Sequence, residues 1–258
     1  MQLRNVVVQG NAHEKLYELG RSSVDLFLFS PPYDGMRDYH GFSTDLLGLG
    51  DAIKLALTDG GICAVIIQDQ TKDFKKSLTT FKLVVGWSEK WDLNLWECLI
   101  YNRPGRPGNW WSKRFRVDHE YILIFFKGER PQYFSKEHMK IPCTHAGKNW
   151  GGTQRLTNGE LVGSNGTVKD TKCPGTILNY ASSNTEGNKL KLRHPATFPD
   201  KLASDLILAF TKPGMLVVDP MCGSGTTLVQ AKKANRNYIG FDISEEYVSI
   251  AKQRLEEE

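Results

Sequence analysis

Short apolar runs rich in β-branched and aromatic side chains recur at Val6–Val8, Val24–Phe29, Ile62–Ile67, Leu95–Tyr101 and Tyr121–Phe126. Runs of this length suit buried strands, because a strand covered on both faces carries apolar residues at successive rather than alternate positions. Between several of them apolar residues recur at helical spacing, most clearly over Thr44–Leu57. The end of the chain repeats the alternation, with a helix predicted around Lys201–Phe210, a strand at Leu216–Asp219, a helix from Thr226, a strand at Tyr238–Asp242 and a final helix from Glu245. Strands and helices that alternate in this way predict an α/β fold with a doubly wound, mostly parallel sheet and helices on both faces.

Residues 129–193 break the rhythm. They are rich in Gly, Asn, Thr and Lys, have few apolar runs, and form a stretch too long for an ordinary connection. They are expected to be a separately shaped insertion of irregular or weakly β character, which leaves 1–128 and 194–258 as the core. A chain of 258 residues suffices for one substantial α/β core with such an appendage. Charge sharpens the division: segment 136–194 holds nine Lys/Arg and four Asp/Glu, whereas the whole chain has a net charge of only +4. The positive field therefore belongs to the insertion, where a polyanion would dock; a solvated loop region with a basic bias would look the same by charge alone.

No apolar run is long enough to span a membrane, and polar residues interrupt the start of the chain where a secretory signal would be continuous, so a cytoplasmic protein is expected. The cysteines, Cys63, Cys98, Cys143, Cys173 and Cys222, are scattered and odd in number, without a C-x-x-C pair. That argues against a disulfide framework or a zinc ribbon, and no metal is expected.

Two stretches carry candidate chemistry. Asp219-Pro220-Met221-Cys222-Gly223-Ser224-Gly225-Thr226-Thr227 leaves a predicted strand and enters a predicted helix. Its glycines permit a tight turn and close approach of a ligand, while backbone N–H groups at the helix start favour a carboxylate or phosphate. Asp242 follows at the end of the next strand, where an acid in a doubly wound sheet accepts hydrogen bonds from ribose hydroxyls. Leu228 stands where a dinucleotide fingerprint needs a third glycine, and the Gly-Lys-Ser/Thr of a phosphate loop is absent. The second stretch, Ser30-Pro31-Pro32-Tyr33, directly follows the strand at Val24–Phe29. Its prolines end the strand and fix φ, holding the Ser30 side chain and the Pro31 carbonyl rigidly at the edge where such sheets bind ligands. Either stretch alone is also compatible with a turn that merely ends a strand.

Taken together, these stretches resemble the N4-cytosine/N6-adenine DNA methyltransferases, in the permuted order that places the catalytic motif before the cofactor motif. The resemblance extends to the sequel of the tetrapeptide (Asp34, Arg37, Asp38, Tyr39), to His119-Glu120-Tyr121-Ile122-Leu123, to His194-Pro195-Ala196-Thr197-Phe198-Pro199 and to Ile239-Gly240-Phe241-Asp242-Ile243. It implies a Rossmann-like methyltransferase fold and S-adenosylmethionine as cofactor. The methionine part would lie on Asp219 and the turn Cys222, Gly223, Ser224, Gly225, Thr226 and Thr227. The ribose would lie on Asp242 beside Ile243, Phe198 would line the pocket, and Asn11 would lie near the adenine. Asn11 stands where the family more often has aspartate. Family members whose tetrapeptide opens with serine are mostly cytosine-N4 enzymes, so Ser30, Pro31, Pro32 and Tyr33 imply methylation of cytosine N4 in double-stranded DNA. Adenine N6 is the alternative, followed by an RNA amino group or a non-catalytic DNA-binding module.

An amino group inside a stacked duplex is out of reach, so the nucleotide would be flipped, with Tyr33 placed to stack on it. The basic stretch 103–116, with Arg103, Arg106, Trp110, Trp111, Lys113, Arg114 and Arg116, suits phosphate contacts with interleaved aromatic surfaces, and Arg37 adds a further cation. The insertion is the candidate for target recognition. A cognate restriction endonuclease would be the protein partner in a restriction-linked role; that role, an orphan role, and a monomer or homodimer all remain open.

Overall fold

Each apolar run named above forms a strand in the computed structural model, which describes residues 4–32, 45–103, 115, 117–181, 191 and 197–258. In chain order the first part runs β1 (Val6–Gln9), α1 (Ala12–Tyr17), β2 (Val24–Phe29), α2 (Leu46–Ala56) and β3 (Leu57–Ile67). A two-residue-strand hairpin follows, β4 (Thr71–Lys72) and β5 (Lys75–Lys76), then α3 (Thr79–Trp91), β6 (Asn94–Asn102) and β7 (His119–Phe126). The middle holds β8 (Ile141–Pro142), β9 (Asn149–Arg155), β10 (Leu161–Thr167) and β11 (Thr171–Lys172). The chain ends with β12 (Ile177–Asn179), α4 (Asp200–Phe210), β13 (Leu216–Asp219), α5 (Thr226–Lys233), β14 (Asn237–Asp242) and α6 (Glu245–Glu257).

Among the described residues one sheet of eight strands carries the fold, in the order β1-β14-β13-β2-β3-β7-β6-β12. All neighbours are parallel except β7, which runs antiparallel between β3 and β6. The carboxyl ends of β1, β14, β13, β2, β3 and β6 therefore share one edge. The sheet centre is legible in its side chains: β2 is Val-Asp-Leu-Phe-Leu-Phe, buried at all positions except the half-buried Asp25. Asp25 is satisfied there, since its carboxylate accepts the Leu216 N–H (2.8 Å) and the Gln132 side-chain amide (3.0 Å). Helices α2 and α3 close one face, where Trp87 packs on Phe125 at 5.1 Å between ring centres and donates its indole N–H to the Leu46 carbonyl (2.9 Å). Helices α5 and α6 pack on the far strands through Leu228, Val229, Val248, Ala251 and Leu255.

The chain divides into two compact units, residues 1–135 with 176–258, and Lys136–Gly175. The insertion expected over 129–193 is thus narrower at both ends. On the amino side, Gln132 N–H bonds to the Gly60 carbonyl (2.9 Å), Ser135 N–H bonds to the Ala209 carbonyl (2.9 Å), and Phe134 stacks on Phe210. On the carboxyl side, Ile177–Asn179 adds a parallel strand to β6. The smaller unit is weakly β as expected: β9 pairs with β10 and β8 with β11, both antiparallel, and every residue of β9 is exposed. No helix among the described residues is long and apolar enough to cross a membrane.

Candidate functional site

Strands β2 and β13 lie side by side in parallel, with Val217 opposite Leu26 and Val218 opposite Phe27. From β2 the chain moves one way across the sheet, to β3; from β13 it moves the other way, to β14. Connections that leave adjacent strand ends in opposite directions open a crevice at the carboxyl edge, the place where doubly wound sheets bind ligands. Ser30 and Pro31 stand at one lip of this switch point and the turn 220–225 at the other. The Thr227 hydroxyl, in the first turn of α5, joins them by donating to the Leu28 carbonyl (3.1 Å). The same hydroxyl reaches the Asp219 carboxylate, and its single proton serves one acceptor at a time.

The turn owes its shape to two glycines with positive φ, Gly223 (50°) and Gly225 (80°). A Cβ on Gly225 would also sit 2.9 Å from Ala251 on α6, so glycine is required twice over. The turn is pinned from below: Cys222 N–H bonds to the Phe241 carbonyl (2.8 Å), Gly225 N–H to the Cys222 carbonyl (2.7 Å), and Gly223 N–H to Asp242 Oδ2 (2.8 Å). Ser224 is buried, and its carbonyl and hydroxyl both accept from the guanidinium of Arg254, a fully buried residue of α6. Arg254 also lies 3.8 Å from Asp200, which pairs with buried Lys191 at 2.7 Å.

Two buried carboxylates flank the turn. Burial pushes Asp219 up to about 7, and nearby Asp242 adds to the effect, against hydrogen bonds from Thr227 and from the Met221 N–H (3.0 Å) that hold it down. Burial also raises Asp242, opposed by the N–H groups of Ser244, Gly223 and Ile243. A desolvated carboxylate this close to neutrality gains most from a cationic partner. The Thr226 hydroxyl oxygen is buried and lacks a hydrogen-bond partner among the described residues. Such an atom calls for a partner, and a ligand acceptor beside the turn would supply one. An ammonium on Asp219, hydroxyls on the remaining lone pairs of Asp242 and an acceptor near Thr226 describe an amino-acid-bearing nucleoside, the chemistry of S-adenosylmethionine. The residues present fit that group. Burial drives the Cys222 thiol far above its ordinary value, which leaves it a neutral wall.

Other predicted site residues fall as follows. Asn11 lies two residues beyond β1 near Asp242, since Gly10 N–H bonds to the Asp242 carbonyl (2.9 Å), and its side chain caps α1 by accepting the His13 N–H (2.9 Å). Ile243 is partly exposed after β14, and buried Phe198 lies just before α4, a helix that packs on α5 and β2. Pro31 is buried and Pro32 half-buried. Arg103, at the same sheet edge, pairs with Glu120 on β7 at 2.8 Å, with both side chains largely buried. Its charge is therefore already matched within the protein. Tyr33, Arg37, Arg106, Trp110, Trp111, Lys113, Arg114 and Arg116 lie outside the described residues.

Sequence reasoning missed Arg254 and Asp69. The signal for Arg254 was present, because it occupies the buried helical stripe of Tyr247, Val248, Ala251 and Leu255, where an isolated arginine needs a partner. Asp69 gives none, being one polar residue after a strand.

The sequence model of a family described as DNA methylase, with N6 and N4 specificity in its name, matches residues 24–253. The orphan methyltransferase M.BamHII of Bacillus amyloliquefaciens is 30% identical over 92% of this chain and 90% of its own length. Among solved structures, PvuII DNA methyltransferase, described as cytosine-N4-specific, superposes with a TM-score of 0.71 at 21% identity, covering 98% of this chain and 87% of that one. The complex of M1.HpyAVI with SAM superposes with a TM-score of 0.65 at 19% identity, covering 97% and 98%.

Proposed function

The chain belongs to this DNA methylase family, and we propose that it moves a methyl group from S-adenosylmethionine to the exocyclic N4 of a cytosine flipped out of duplex DNA. The observation that carries the reading is the pairing of Ser30 and Pro31 with the Gly223–Gly225 turn across one switch point. Asp219 holds the cofactor's ammonium, Asp242 its ribose hydroxyls, and the turn with Thr226 its carboxylate. When bound, the cofactor supplies an electrophilic methyl group on a sulfonium centre.

The protein's task is then to make a poor nucleophile attack in line. The amino lone pair of cytosine is delocalised into the ring, which keeps the nitrogen planar. Ser30 Oγ and the Pro31 carbonyl accept one amino hydrogen each, draw the nitrogen towards tetrahedral geometry and turn its lone pair out of the ring. Pro31 and Pro32 keep both acceptors fixed, so little ordering remains for the reaction itself; such positioning is worth about 7–11 kcal/mol in favourable cases. Serine is too weak a base to take the proton beforehand, so the surplus proton leaves to water after transfer. Serine at position 30 is what favours cytosine over adenine, by the family resemblance. The exposed hairpin β9–β10 and its surrounding unit are the candidate reader of base edges, with a restriction endonuclease as the partner in a restriction-linked role.

Mass analysis of DNA digested after reaction is expected to yield N4-methylcytosine. N6-methyladenine in its place would overturn the serine argument while leaving the site intact. A second expectation concerns Arg254. Arg254→Lys keeps the charge but cannot reproduce the planar fork that reaches Ser224 and Asp200. Calorimetric titration should show the cofactor Kd raised about tenfold, equivalent to about 1.4 kcal/mol, with kcat at saturating cofactor little changed. An unaltered Kd would confine Arg254 to folding.

A further inference from the structure

The hairpin β4–β5 rises from the same sheet edge, beginning four residues beyond Ile67, the last paired position of β3, the strand beside β2. Its register places Lys72 directly opposite Lys75, and Thr71 opposite Lys76. Opposed residues of an antiparallel pair lie on one face with Cβ atoms about 4.5–5.5 Å apart, so both lysines are presented on the same side of the hairpin, where like charges directly opposite each other add no stability. The turn between them is Asp73-Phe74, both with positive φ (48° and 63°), a conformation that tight hairpins demand but that ordinarily selects glycine at the second position. Phe74 is 68% exposed at the tip. A like-charge pair directly opposed across the strands does not serve the hairpin's own stability.

The hairpin is nevertheless held stiffly. Buried Asp69 accepts from the Ser77 hydroxyl (3.1 Å) and from the Thr80 N–H (2.9 Å), the latter capping α3, which lacks a side-chain cap of its own. Lys76, on the opposite face from Lys72 and Lys75, turns back to the Asp69 carbonyl (3.3 Å), and Ser77 N–H bonds to the Gln70 carbonyl (3.0 Å). One lysine thus anchors the hairpin while two are presented.

We propose that Lys72 and Lys75 grip the phosphate backbone of the DNA flanking the target base, with Phe74 set against the adjoining groove. This inference rests on the methyltransferase reading above, because that reading puts duplex DNA at this edge. A backbone phosphate lying between the two ammonium groups would be attracted by both. The six-residue hairpin extends at most about 10 Å from its base, given a rise near 3.3 Å per strand residue. That reach suits nucleotides next to the flipped one rather than a distant site. Asp69 acts as a positioning residue, tying the hairpin to the end of β3.

The test is anisotropy of a labelled duplex titrated with the intact protein over a series of salt concentrations. Each neutralised phosphate contributes about 0.9 to the slope of log K against log salt, so Lys72→Gln/Lys75→Gln, which releases the one phosphate held between them, should reduce the slope by about 0.9. Affinity at moderate salt should fall on the order of tenfold. Cofactor Kd and melting temperature should both stay near wild type, since both lysines are exposed. Phe74→Ala should weaken binding severalfold without altering the slope. An unchanged slope in the double variant would overturn the inference alone; a wild-type protein that fails to bind duplex DNA would overturn it together with the proposed function.

Discussion

Asp219→Asn is expected to yield a protein that melts higher than wild type and has lost its cofactor. The carboxylate sits wholly buried and titrates near 7 rather than 3.8. Its folded pKa is raised, so between those values the folded chain keeps a proton that the unfolded chain releases, and stability falls as pH rises from about 4 to about 7. Three pH units correspond to about 4 kcal/mol at most; allowing for relaxation, about 2 kcal/mol is a reasonable gain for the neutral amide at pH 8. In a chain of this size that is roughly 4–8 °C. The gain should shrink towards zero near pH 4, where both side chains are neutral. Thermal melts across this range check the sign, and a variant less stable at pH 8 than at pH 5, relative to wild type, contradicts it.

The same substitution removes the charge that meets the ammonium. Losing a buried charge-assisted contact of about 3 kcal/mol weakens binding about a hundredfold. In wild type, affinity should decline about tenfold per pH unit below 7, because the free site must first release its proton. It should also decline above about 8, as the cofactor's own α-amino group loses its charge. The acid limb should vanish in the variant.

Ser30→Ala should separate binding from chemistry. The residue is half-buried at the strand end, and the turn is pinned by Phe241, Asp242 and Arg254 rather than by Ser30, so cofactor Kd should stay near wild type. Turnover should fall about a hundredfold, the usual cost of one preorganised polar contact to the reacting centre. Single-turnover rates at saturating cofactor and DNA measure this directly. A tenfold higher cofactor Kd with unchanged turnover would move Ser30 into the binding pocket and leave the Pro31 carbonyl as the only acceptor argued for.

The strands were legible because burial on both faces leaves a local signature. Val24–Phe29 and Leu216–Asp219 are apolar at nearly every position, and the structure begins and ends them there. Helix α1 and hairpin β4–β5 had no such mark, being short and mostly exposed. The limits of the insertion were misjudged for a related reason. Gln132, Phe134 and Ile177 look like loop residues in sequence, and only their contacts with Gly60, Phe210 and Ile100 join them to the larger unit.

What the chain determined by itself is the set of local patterns: which segments become central strands, where glycines allow a tight turn, and which short motifs stand at strand ends. Tertiary structure decided which ends meet. The adjacency of β13 to β2 comes from strands nearly 200 residues apart in the chain, as does the burial that drives Asp219 to about 7. The partners of Arg254 and Arg103, and the opposition of Lys72 to Lys75, are equally matters of three-dimensional neighbourhood. Period and propensity act over a few residues, whereas desolvation and charge pairing depend on what folding brings within a few ångströms.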